Sequence, residues 1–518
     1  MSRRILVGLL LSSLSCVAIA GAGWRLPTGY FVPAKMPMTV VFPRPDAETS
    51  PWARQRMAYA DGTVQYRIPI AVQGGAYPFH YTLVSGPPGM KIGQDIFDPD
   101  YGIVTWTPTS SQIRSASYPV TVTVTDQQDA TVTVAWSVKA TTSGFVFVDP
   151  KAATNGNGTK ASPFNSVAPL FVLHGTMGPY GGYIVYFRAG TTVLSGPESI
   201  GNVQLQGNGN PAVWLGYPGE DARIDFSHSK VLVDKQDDVF VGGLHIMNAR
   251  TDVLNAQFFF FNQNAAQDRV TFFENKFEDI DDLSGGDSNQ AAILFFNPGV
   301  LRNYFALIGN TLDHFTAELV DTYAIKYGVI EDNQLLTGNG PSPWAGIFLK
   351  SDVQNFSVRR NTSLSQSYGY GAIWIAQQAQ VFPNNDIEVA YNLVRTGDVR
   401  QPAFVYEWTG PGGALNANPQ IYVYRNTFTG WIGGLDDFPY TVWEESNVLI
   451  DDSGKTAKFN SSTGGGKTVK FTDNLTGTSK DGLIDADGRL IGAASQYRGT
   501  RGFEISVGVN PLSAPTWR

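Results

Sequence analysis

Val389-Ala390-Tyr391-Asn392 is one copy of a pattern in which a short run that begins with an apolar residue ends at an asparagine. Runs of this kind end at seven asparagines: Asn248, Asn275, Asn310, Asn333, Asn361, Asn392 and Asn426. Their intervals of 27, 35, 23, 28, 31 and 34 residues are typical of a solenoid with one turn-forming residue per repeat. Asparagine tolerates a left-handed bend between strands, and stacked asparagine side chains can hydrogen-bond along a column. The pattern therefore predicts a β-helix.

The composition agrees with an all-β chain and argues against several other classes of protein. Only 16% of the 518 residues are charged, whereas long solvated helices and coiled coils need abundant Glu, Lys or Arg. The formal net charge of −8 argues against a nucleic-acid-binding protein, because neutralising phosphates requires a basic surface. The 55 glycines, 30 prolines and 12% aromatic residues favour strands joined by many turns.

Residues 1–20 have the features of an export signal. Arg3 and Arg4 precede an apolar stretch, and Ala18-Ile19-Ala20 is a small-residue cleavage site. The apolar stretch is about 16 residues long, which is shorter than the roughly 20 residues needed to span a bilayer. We therefore expect an exported protein, periplasmic or extracellular, with no membrane span in the mature chain. The single cysteine, Cys16, lies in this segment, so we expect the mature protein to have no disulfide.

The first part of the chain differs from the rest, since all 29 asparagines follow residue 154. Within residues 35–142, alternating apolar runs such as residues 118–124 and 130–136 predict a small antiparallel β-sandwich. The order Gly74-Gly75-Ala76-Tyr77-Pro78-Phe79, Ser85-Gly86-Pro87-Pro88-Gly89-Met90 and Gly102-Ile103-Val104-Thr105-Trp106-Thr107-Pro108 resembles the immunoglobulin-like modules of bacterial surface and secreted proteins. This resemblance implies a spacer, packing or carbohydrate-contact module.

The second part of the chain begins with three segments that carry another resemblance. They are Asn155-Gly156-Asn157-Gly158-Thr159, Tyr183-Ile184-Val185-Tyr186-Phe187 and Val213-Trp214-Leu215-Gly216-Tyr217-Pro218-Gly219. Segments of these types in this order resemble the first turns of pectate-lyase-like proteins, which implies a right-handed parallel β-helix over residues 145–452. We expect residues 453–518 to cap the β-helix, because an uncapped end exposes unpaired backbone groups.

A second strand is expected between successive asparagines, and aligning these strands predicts two outward columns of side chains. One column contains Phe296, Lys326, Lys350, Ala376 and Glu407. The other contains Leu294, Ala324, Phe348, Trp374 and Val405. Because neighbouring rungs lie roughly 4.8 Å apart, we expect Lys326 and Lys350 to be adjacent, with Glu407 about two rungs further along.

These columns predict a sugar-binding groove, since aromatic faces stack on sugars and cations attract uronate carboxylates. The predicted catalytic residues are Lys326, Lys350 and Glu407. The predicted substrate-binding residues are Trp374, Phe348 and Arg359.

A groove with paired lysines suits a polysaccharide lyase that cleaves a uronic-acid glycan. β-Elimination removes the proton next to a uronate carboxylate, so it requires a base and a cation, and a neighbouring cation can lower the pKa of a lysine enough for it to act as the base. The region resembles the chondroitin- and alginate-cleaving β-helix lyases, because Asp321 precedes Lys326 by five residues and Lys350-Ser351 matches a Lys-Ser pair of that family. Leu319 stands where that family has a second acidic ligand, and Ala376 or Gln377 stands where it has an arginine.

Acidic residues are concentrated on the same side of the repeats, and Ca²⁺ takes six to eight oxygen ligands. We expect a calcium site at Asp321, Glu318 and Asp282, and no organic cofactor. The five histidines are scattered through the sequence, which argues against a zinc site and against a Ser-His-Asp triad.

Two other functions stay open. A glycoside hydrolase needs two carboxylates, for which Glu407 with Asp321 or Asp352 are candidates. A non-catalytic surface or matrix protein that binds glycan is the other alternative, because a fold alone does not decide function. The expected partner is a polysaccharide in each case, and an acidic one for the lyase. The protein is expected to be a monomer or a trimer.

Overall fold

The computed structural model describes most of the chain outside its termini and several connecting segments. The described residues are 25–26, 31–96, 98–171, 180–194, 202–205, 210–227, 230–233, 236–249, 257–261, 267–280, 291–296, 300–336, 345–351, 353–366, 368–369, 371–377, 386–398, 400–408, 420–435, 441–456, 468–485 and 490–496. The predicted export signal, residues 1–20, lies outside this set. Within the described ranges, no helix is long and apolar enough to cross a membrane.

The N-terminal domain consists of short strands in three small sheets. Its described strands are β1 (Thr39–Phe42), β2 (Met57–Tyr59), β3 (Tyr66–Pro69), β4 (Ala71–Gln73), β5 (His80–Ser85), β6 (Lys91–Ile92), β7 (Ile103–Trp106), β8 (Tyr118–Thr125) and β9 (Thr131–Thr141). The sheet orders are β1-β4, β3-β7-β6 and β2-β9-β8-β5. β8 and β9 pair antiparallel, with Val120, Val122 and Val124 of β8 buried on one face as their alternation predicts.

The strands of the second domain are short and follow one another at close intervals. They are β10 (Phe145–Val148), β11 (Ile184–Phe187), β12 (Gly190–Val193), β13 (Asn202–Leu205), β14 (Val213–Gly216), β15 (Ala222–Asp225), β16 (Lys230–Val233), β17 (Val239–Gly242), β18 (His245–Met247), β19 (Gln257–Phe261), β20 (Val270–Phe273), β21 (Lys276–Ile280), β22 (Ala291–Phe295), β23 (Arg302–Ile308), β24 (Thr311–Phe315), β25 (Glu318–Thr322), β26 (Ile325–Glu331), β27 (Gln334–Leu335), β28 (Ile347–Lys350), β29 (Gln354–Arg359), β30 (Thr362–Gln366), β31 (Ile373–Gln377), β32 (Ile387–Ala390), β33 (Leu393–Thr396), β34 (Pro402–Trp408), β35 (Gln420–Tyr424), β36 (Thr427–Thr429), β37 (Trp431–Leu435), β38 (Thr441–Glu445), β39 (Val448–Ile450), β40 (Thr468–Thr472) and β41 (Leu475–Gly477). Short 3-10 turns occur at Asp46–Glu48, Arg54–Arg56, Ser110–Gln112, Ala168–Leu170, Ser479–Asp481 and Gly492–Gln496.

These strands form three long parallel sheets, and most repeats of the chain contribute one described strand to each sheet. The first sheet has 12 strands in the order β10-β11-β14-β17-β20-β23-β26-β29-β32-β35-β38-β40. The second has 11 strands, β12-β15-β18-β21-β24-β27-β30-β33-β36-β39-β41. The third has 9 strands, β13-β16-β19-β22-β25-β28-β31-β34-β37. Every described pairing in these sheets is parallel, as between β28 and β31, and this confirms the predicted parallel β-helix.

Inward side chains of the three sheets form one apolar core along the axis. On the third sheet, Ile293, Val320, Ile347 and Ile373 follow one another in register, and each is at most 2% exposed. Phe261 and Phe295 of the same sheet stack at 4.3 Å between ring centroids. Each such side chain stabilises the fold by roughly 1.5–3 kcal/mol through burial, so continuous stacking along the rungs holds the β-helix together.

From β20 to β41, the corner between the first and second sheets is a two-residue turn that ends in an asparagine. Eight asparagines occupy this corner among the described residues: Asn275, Asn310, Asn333, Asn361, Asn392, Asn426, Asn447 and Asn474. Each side-chain amide donates to the Oδ1 of the next one, as Asn333 Nδ2 does to Asn361 Oδ1 at 2.9 Å. It also donates to a strand carbonyl of the preceding rung, as Asn361 does to Ile330 at 2.9 Å. The predicted column of stacked asparagines is therefore confirmed.

Two details of the predicted column were wrong. Asn248 follows β18 of the second sheet, and Leu244 takes the corner position of that rung, where its N–H donates to Asn275 Oδ1 at 3.2 Å. The left-handed residue of the corner is the one before the asparagine, such as Glu274 at φ 53° or Arg360 at φ 57°. The asparagine is needed instead for the hydrogen bonds of its amide, which satisfy buried backbone groups.

The N-terminal domain covers the outer face of the first sheet. Side chains of both form a single apolar cluster, in which Tyr77 contacts Tyr391 at 4.9 Å between ring centroids and Phe42 contacts Phe240 at 5.5 Å. Arg67 of the N-terminal domain also forms a 2.7 Å ion pair with Glu274 at the corner. The first sheet therefore has little outer surface left for a large ligand.

Arg359 lies within this covered face. Its side chain is 0% exposed, and its guanidinium lies 3.1 Å from Glu331 and donates to the Gly74 carbonyl of the N-terminal domain at 3.3 Å. The prediction that Arg359 binds substrate beside Phe348 and Trp374 was wrong in its geometry, because β29 belongs to the first sheet and those two residues to the third.

The C-terminal end of the β-helix extends beyond the predicted boundary at residue 452. β40 and β41 add strands to the first and second sheets as far as Gly477. Leu483, Leu490 and Ala494 then pack against Val448 and Ile450 in a small separate cluster. These residues cover apolar side chains at the end of the second sheet.

Candidate functional site

Lys326 and Lys350 lie on different sheets, so the predicted pair of stacked lysines was wrong. Lys326 is on β26 of the first sheet, opposite Asn303 on one side and Gln354 on the other. Lys350 is on β28 of the third sheet. The strand that precedes β28 in the third sheet is β25, in which Thr322 is opposite Leu349. The residue next to Lys350 in the preceding rung is consequently Tyr323.

The remaining outward columns agree with the prediction more closely. The second outward column begins at Leu294 and continues in register through Asp321, Phe348, Trp374 and Val405. Asp321 therefore takes the position in this column that was expected for Ala324. Lys350 is opposite Ala376, and Ala376 is opposite Glu407, which confirms that Glu407 stands two rungs from Lys350. The side chain of Glu407 and the whole of Asp282 lie outside the described residues.

The third sheet therefore brings together four predicted site residues and one that was not predicted. The Nζ of Lys350 lies 3.7 Å from Oδ2 of Asp321. It also lies 5.0 Å from the ring centroid of Phe348 and 4.9 Å from that of Tyr323. Phe348 stacks on Trp374 at 3.9 Å and an interplanar angle of 7°. We call Asp321, Lys350, Tyr323, Phe348 and Trp374 the third-sheet cluster.

Burial changes the acid–base properties of this cluster. Burial raises the pKa of Asp321 to about 7 although the Lys350 ammonium opposes that rise. Burial and the charge of Asp321 raise the pKa of Glu318 well above its usual value. The pKa of Lys350 is raised because Asp321 and Tyr323 outweigh the effect of burial. At neutral pH the cluster thus contains a protonated lysine and an aspartate close to its midpoint.

The cluster is closed to solvent, which corrects the prediction of an open groove. Asp321 is 0% exposed, Lys350 3% and Trp374 2%, and Tyr323 is the most exposed member at 8%. Beside them, an apolar group continues along the sheet through Ala376, Val405 and Trp431. Neither carboxylate oxygen of Asp321 has a hydrogen-bond partner. Buried polar atoms without partners are uncommon and often mark a functional position.

The described residues of the cluster do not fit the predicted calcium site. Calcium needs six to eight oxygen ligands, but the nearest charged partner of Asp321 is the ammonium of Lys350. Burial and the nearby Asp321 raise the pKa of Glu318, which disfavours its anionic form, and the adjoining Phe348 and Trp374 offer no oxygen ligands. Lys350 itself supplies the positive charge at this position.

A second cluster of titratable side chains, which the sequence analysis missed, lies on the outer face of the second sheet. Glu278 accepts from His245 Nε2 and from Lys276 Nζ, each at 2.6 Å. Lys276 and His314 also lie near Asp313, at 3.7 and 3.5 Å. Glu278, Asp313 and His314 have atoms of the types that ligate metals, although Lys276 already bonds to Glu278. The sequence could have revealed this cluster through the alternation of side chains within residues 276–278 and 311–313. That alternation places Glu278 and Asp313 outward on adjacent rungs.

Comparison with known proteins gives one match to a family and one to a solved structure. No curated protein sequence matches the chain. The chain is similar to the solved catalytic domain of a GH87 alpha-1,3-glucanase in complex with nigerose, at 9% identity and a TM-score of 0.25 over 81% of this chain and 83% of that chain. That TM-score is too low to support a conclusion about fold or function. Residues 53–141 match the family described as "Putative Ig domain", so the N-terminal domain is immunoglobulin-like.

Proposed function

We propose that the protein is a carbohydrate-active enzyme that cleaves an acidic polysaccharide by β-elimination at the third-sheet cluster. The observation that carries this proposal is the buried pair of Asp321 and Lys350, 3.7 Å apart and adjacent to the stacked rings of Phe348 and Trp374. Strongly perturbed carboxylates with a specific charged partner are concentrated at functional sites. Aromatic rings beside such a pair offer flat apolar surfaces against which sugar rings pack.

The chemistry assigns a distinct role to each charged residue. Asp321 is a suitable base near neutral pH, because its pKa of about 7 balances the ionised fraction against basicity. It takes the proton next to the uronate carboxylate, and the released electron pair forms the carbon–carbon double bond as the bond to the glycosidic oxygen breaks. The Lys350 ammonium neutralises the uronate carboxylate and so stabilises the negative charge that develops on it. Tyr323, beside Lys350, carries a hydroxyl that can protonate the departing oxygen.

A glycoside hydrolase is the second candidate function, and Glu318 is the observation that favours it. Burial and the nearby Asp321 raise the pKa of Glu318 well above its usual value, and burial raises that of Asp321 to about 7. Glycosidases use two neighbouring carboxyls whose pKa values are perturbed to different extents, one as acid and the other as base or nucleophile.

The two candidates give different products, and the experiment that tests them uses a panel of uronic-acid polymers. Elimination leaves an unsaturated uronate that absorbs in the ultraviolet, whereas hydrolysis raises reducing ends without that absorbance. We expect ultraviolet-absorbing product from the unmodified protein. Reducing ends without absorbance would favour the hydrolase, and neither signal on any polymer would contradict both candidates.

The residue assignment is tested by three substitutions that preserve side-chain size. Asp321→Asn and Lys350→Met should each abolish turnover, because one removes the base and the other the neutralising charge. Lys326→Met should leave turnover unchanged, because Lys326 lies on the first sheet and not in the cluster. Folding of each variant is checked by circular dichroism and thermal unfolding. A loss of activity in Lys326→Met equal to that in Lys350→Met would contradict the assignment.

The burial of the pair has a consequence for substrate binding. Since Asp321 and Lys350 are at most 3% exposed, a bound glycan requires a form in which this face is more open than here. We therefore expect oligosaccharide to change the hydrogen-exchange rates of amides in β25 and β28, and to leave those of β8 in the N-terminal domain unchanged.

A further inference from the structure

We propose that a chloride ion binds in a small cavity between the N-terminal domain and the first sheet of the β-helix, and that it stabilises the contact between the two domains. The lining of this cavity includes Arg44, Arg54 and Gln55 of the N-terminal domain and Asp238 and Arg269 of the β-helix. The cavity lies against β17 of the first sheet, so the proposal is independent of the function assigned to the third-sheet cluster.

Arg54 is buried without a negatively charged partner. The residue is 2% exposed and begins the 3-10 turn Arg54–Arg56. Its guanidinium donates to the carbonyls of Met57 at 3.0 Å and Arg67 at 3.4 Å, but its Nε has no hydrogen-bond partner. None of the described residues forms an ion pair with it. Arginine is rarely fully buried unless it is paired, and an uncompensated charge away from water is costly, so this position favours an anion.

A second buried side chain of the cavity has unused hydrogen-bonding groups. Gln55 follows Arg54 in the chain and is also 2% exposed. Its side-chain amide forms no hydrogen bond within the described part of the chain. The amide N–H groups of Gln55 and the Nε–H of Arg54 are therefore donors that one ligand in the cavity can use.

The other charged groups of the cavity already balance one another. Arg44 pairs with Glu48 at 2.8 Å, and Arg269 pairs with Asp238 at 2.7 Å. The second carboxylate oxygen of Asp238 accepts from the backbone N–H of Ser50 at 3.0 Å. Among the described residues that line the cavity, Arg54 is consequently the cation whose charge no carboxylate balances.

The size of the cavity restricts the ligand to a small one. The centre of a water molecule can occupy about 10 Å³ of it, which is roughly the room that one water molecule needs. A water molecule would satisfy the free N–H groups but would leave the charge of Arg54 unbalanced, whereas a monatomic anion slightly larger than water does both. The side chains of Arg44 and Arg269 are 13% and 16% exposed, so an ion can reach the cavity from solvent.

Unfolding at constant ionic strength tests the proposal. Sodium chloride replaces sodium gluconate stepwise, because gluconate is too large for the cavity and screens charge equally at the same ionic strength. A ligand that binds only the folded protein stabilises it by mass action. We expect the denaturation midpoint to rise with chloride and to level off as the site saturates. A midpoint that does not change, or that falls, would overturn the proposal.

Two arginines of the same 3-10 turn provide a matched comparison. Arg54→Met removes the unbalanced cation and should abolish the dependence on chloride. Arg56→Met should keep it, because Arg56 pairs with Asp46 at 3.1 Å and does not line the cavity. An equal dependence in the two variants would overturn the proposal.

Bromide provides a direct check that does not require Arg54→Met to fold. Crystals of the unmodified protein are soaked in sodium bromide, and the bromide ions are located by their anomalous scattering. We expect a peak in the cavity beside Arg54 and Gln55. A cavity without a peak would overturn the proposal.

Discussion

The guanidinium of Arg359 lies 3.1 Å from Oε2 of Glu331, and the two side chains are 0% and 10% exposed. The same guanidinium donates to the carbonyls of Val72 and Gly74 in the N-terminal domain. Glu388 lies 3.5 Å away on the next rung, so one cation serves two buried carboxylates. The N-terminal domain is thus joined to the β-helix through a buried ionic group as well as through a common apolar cluster.

Removing this cation should destabilise both domains together. Arg359→Met leaves Glu331 and Glu388 buried without their cation, and breaking a buried ion pair in this way costs about 3–5 kcal/mol. We expect a lower midpoint in chemical denaturation, with fluorescence and far-ultraviolet circular dichroism changing in a single transition. Arg400→Met, at a side chain that is 69% exposed, should leave the midpoint unchanged. An unshifted midpoint in Arg359→Met would show that the pair is energetically unimportant.

The asparagine column should be sensitive to a single truncation. In Asn361→Ala the bonds to Asn333, Asn392 and the Ile330 carbonyl are lost, and buried amide groups of the neighbours stay unpaired. We expect the free energy of unfolding to fall by about 2–4 kcal/mol, since each buried unpaired group costs about 1–3 kcal/mol. Asn165→Ala is the control, because the hydrogen bond of Asn165 uses its backbone N–H, which alanine retains. Equal effects of the two substitutions would contradict a special role for the column.

Stability should fall as the pH rises, because of a glutamate inside the core of the β-helix. Glu444 follows Val423 in register, and burial raises its pKa from 4.5 to about 8. Between about pH 4.5 and pH 8 the folded protein keeps the proton of Glu444, whereas the unfolded chain releases it. The contribution of Glu444 to stability is therefore complete below about pH 4.5 and is lost as the pH rises towards 8. Glu444→Gln should reduce this slope in unfolding measured between pH 5 and 9, whereas Glu445→Gln should keep it in full; the buried Asp321, whose pKa is also raised, contributes part of the slope that remains. A slope in Glu444→Gln as steep as that of the unmodified protein would assign the effect to other groups.

Turnover should also depend on pH, with the opposite sign. Asp321 must be ionised to act as a base, and its pKa is raised to about 7, so kcat/KM should rise about tenfold per pH unit below pH 7 and level off above it. Lys350 stays protonated across this range because its pKa is raised. An Asp321→Glu variant that retains turnover should show a displaced midpoint. A rate that is independent of pH between 5 and 8 would rule out Asp321 as the base.

The fold could be predicted because its main determinant repeats in the sequence. The asparagine spacing identified the β-helix, and Ile293, Leu349, Ile375 and Tyr406, which alternate with the predicted outward residues, are all buried. The corners at Asn447 and Asn474 were missed since charged residues, including the inward Glu444, interrupt the apolar run before Asn447. Asn248 was misplaced because it also follows an apolar run and has a left-handed φ of 63°, although on another sheet.

The error at Lys326 has a local physical cause. The repeat between Asn310 and Asn333 contains three strands, β24, β25 and β26, joined by very short turns. The turn after Thr322 places Ala324 at a φ of 51°, a left-handed conformation that usually calls for glycine or asparagine. Without a turn-forming residue in the sequence, residues 323–326 had the pattern of a strand. The burial of the cluster could not be predicted either, because outward and inward positions alternate in the same way whether or not the outer face is covered.

The asparagine corner restricts where the protein can change in length. Successive asparagines are separated by 35, 23, 28, 31, 34, 21 and 27 residues, yet the corner keeps two residues in each of the repeats that carry these eight asparagines. In these repeats the differences in length therefore fall at the other two corners, which begin and end each third-sheet strand: only residues 316–317 precede β25, whereas residues 336–346 precede β28. A change in the length of those two corners would therefore alter the surroundings of Asp321 and Lys350 without disturbing the corner that fixes the register of successive rungs.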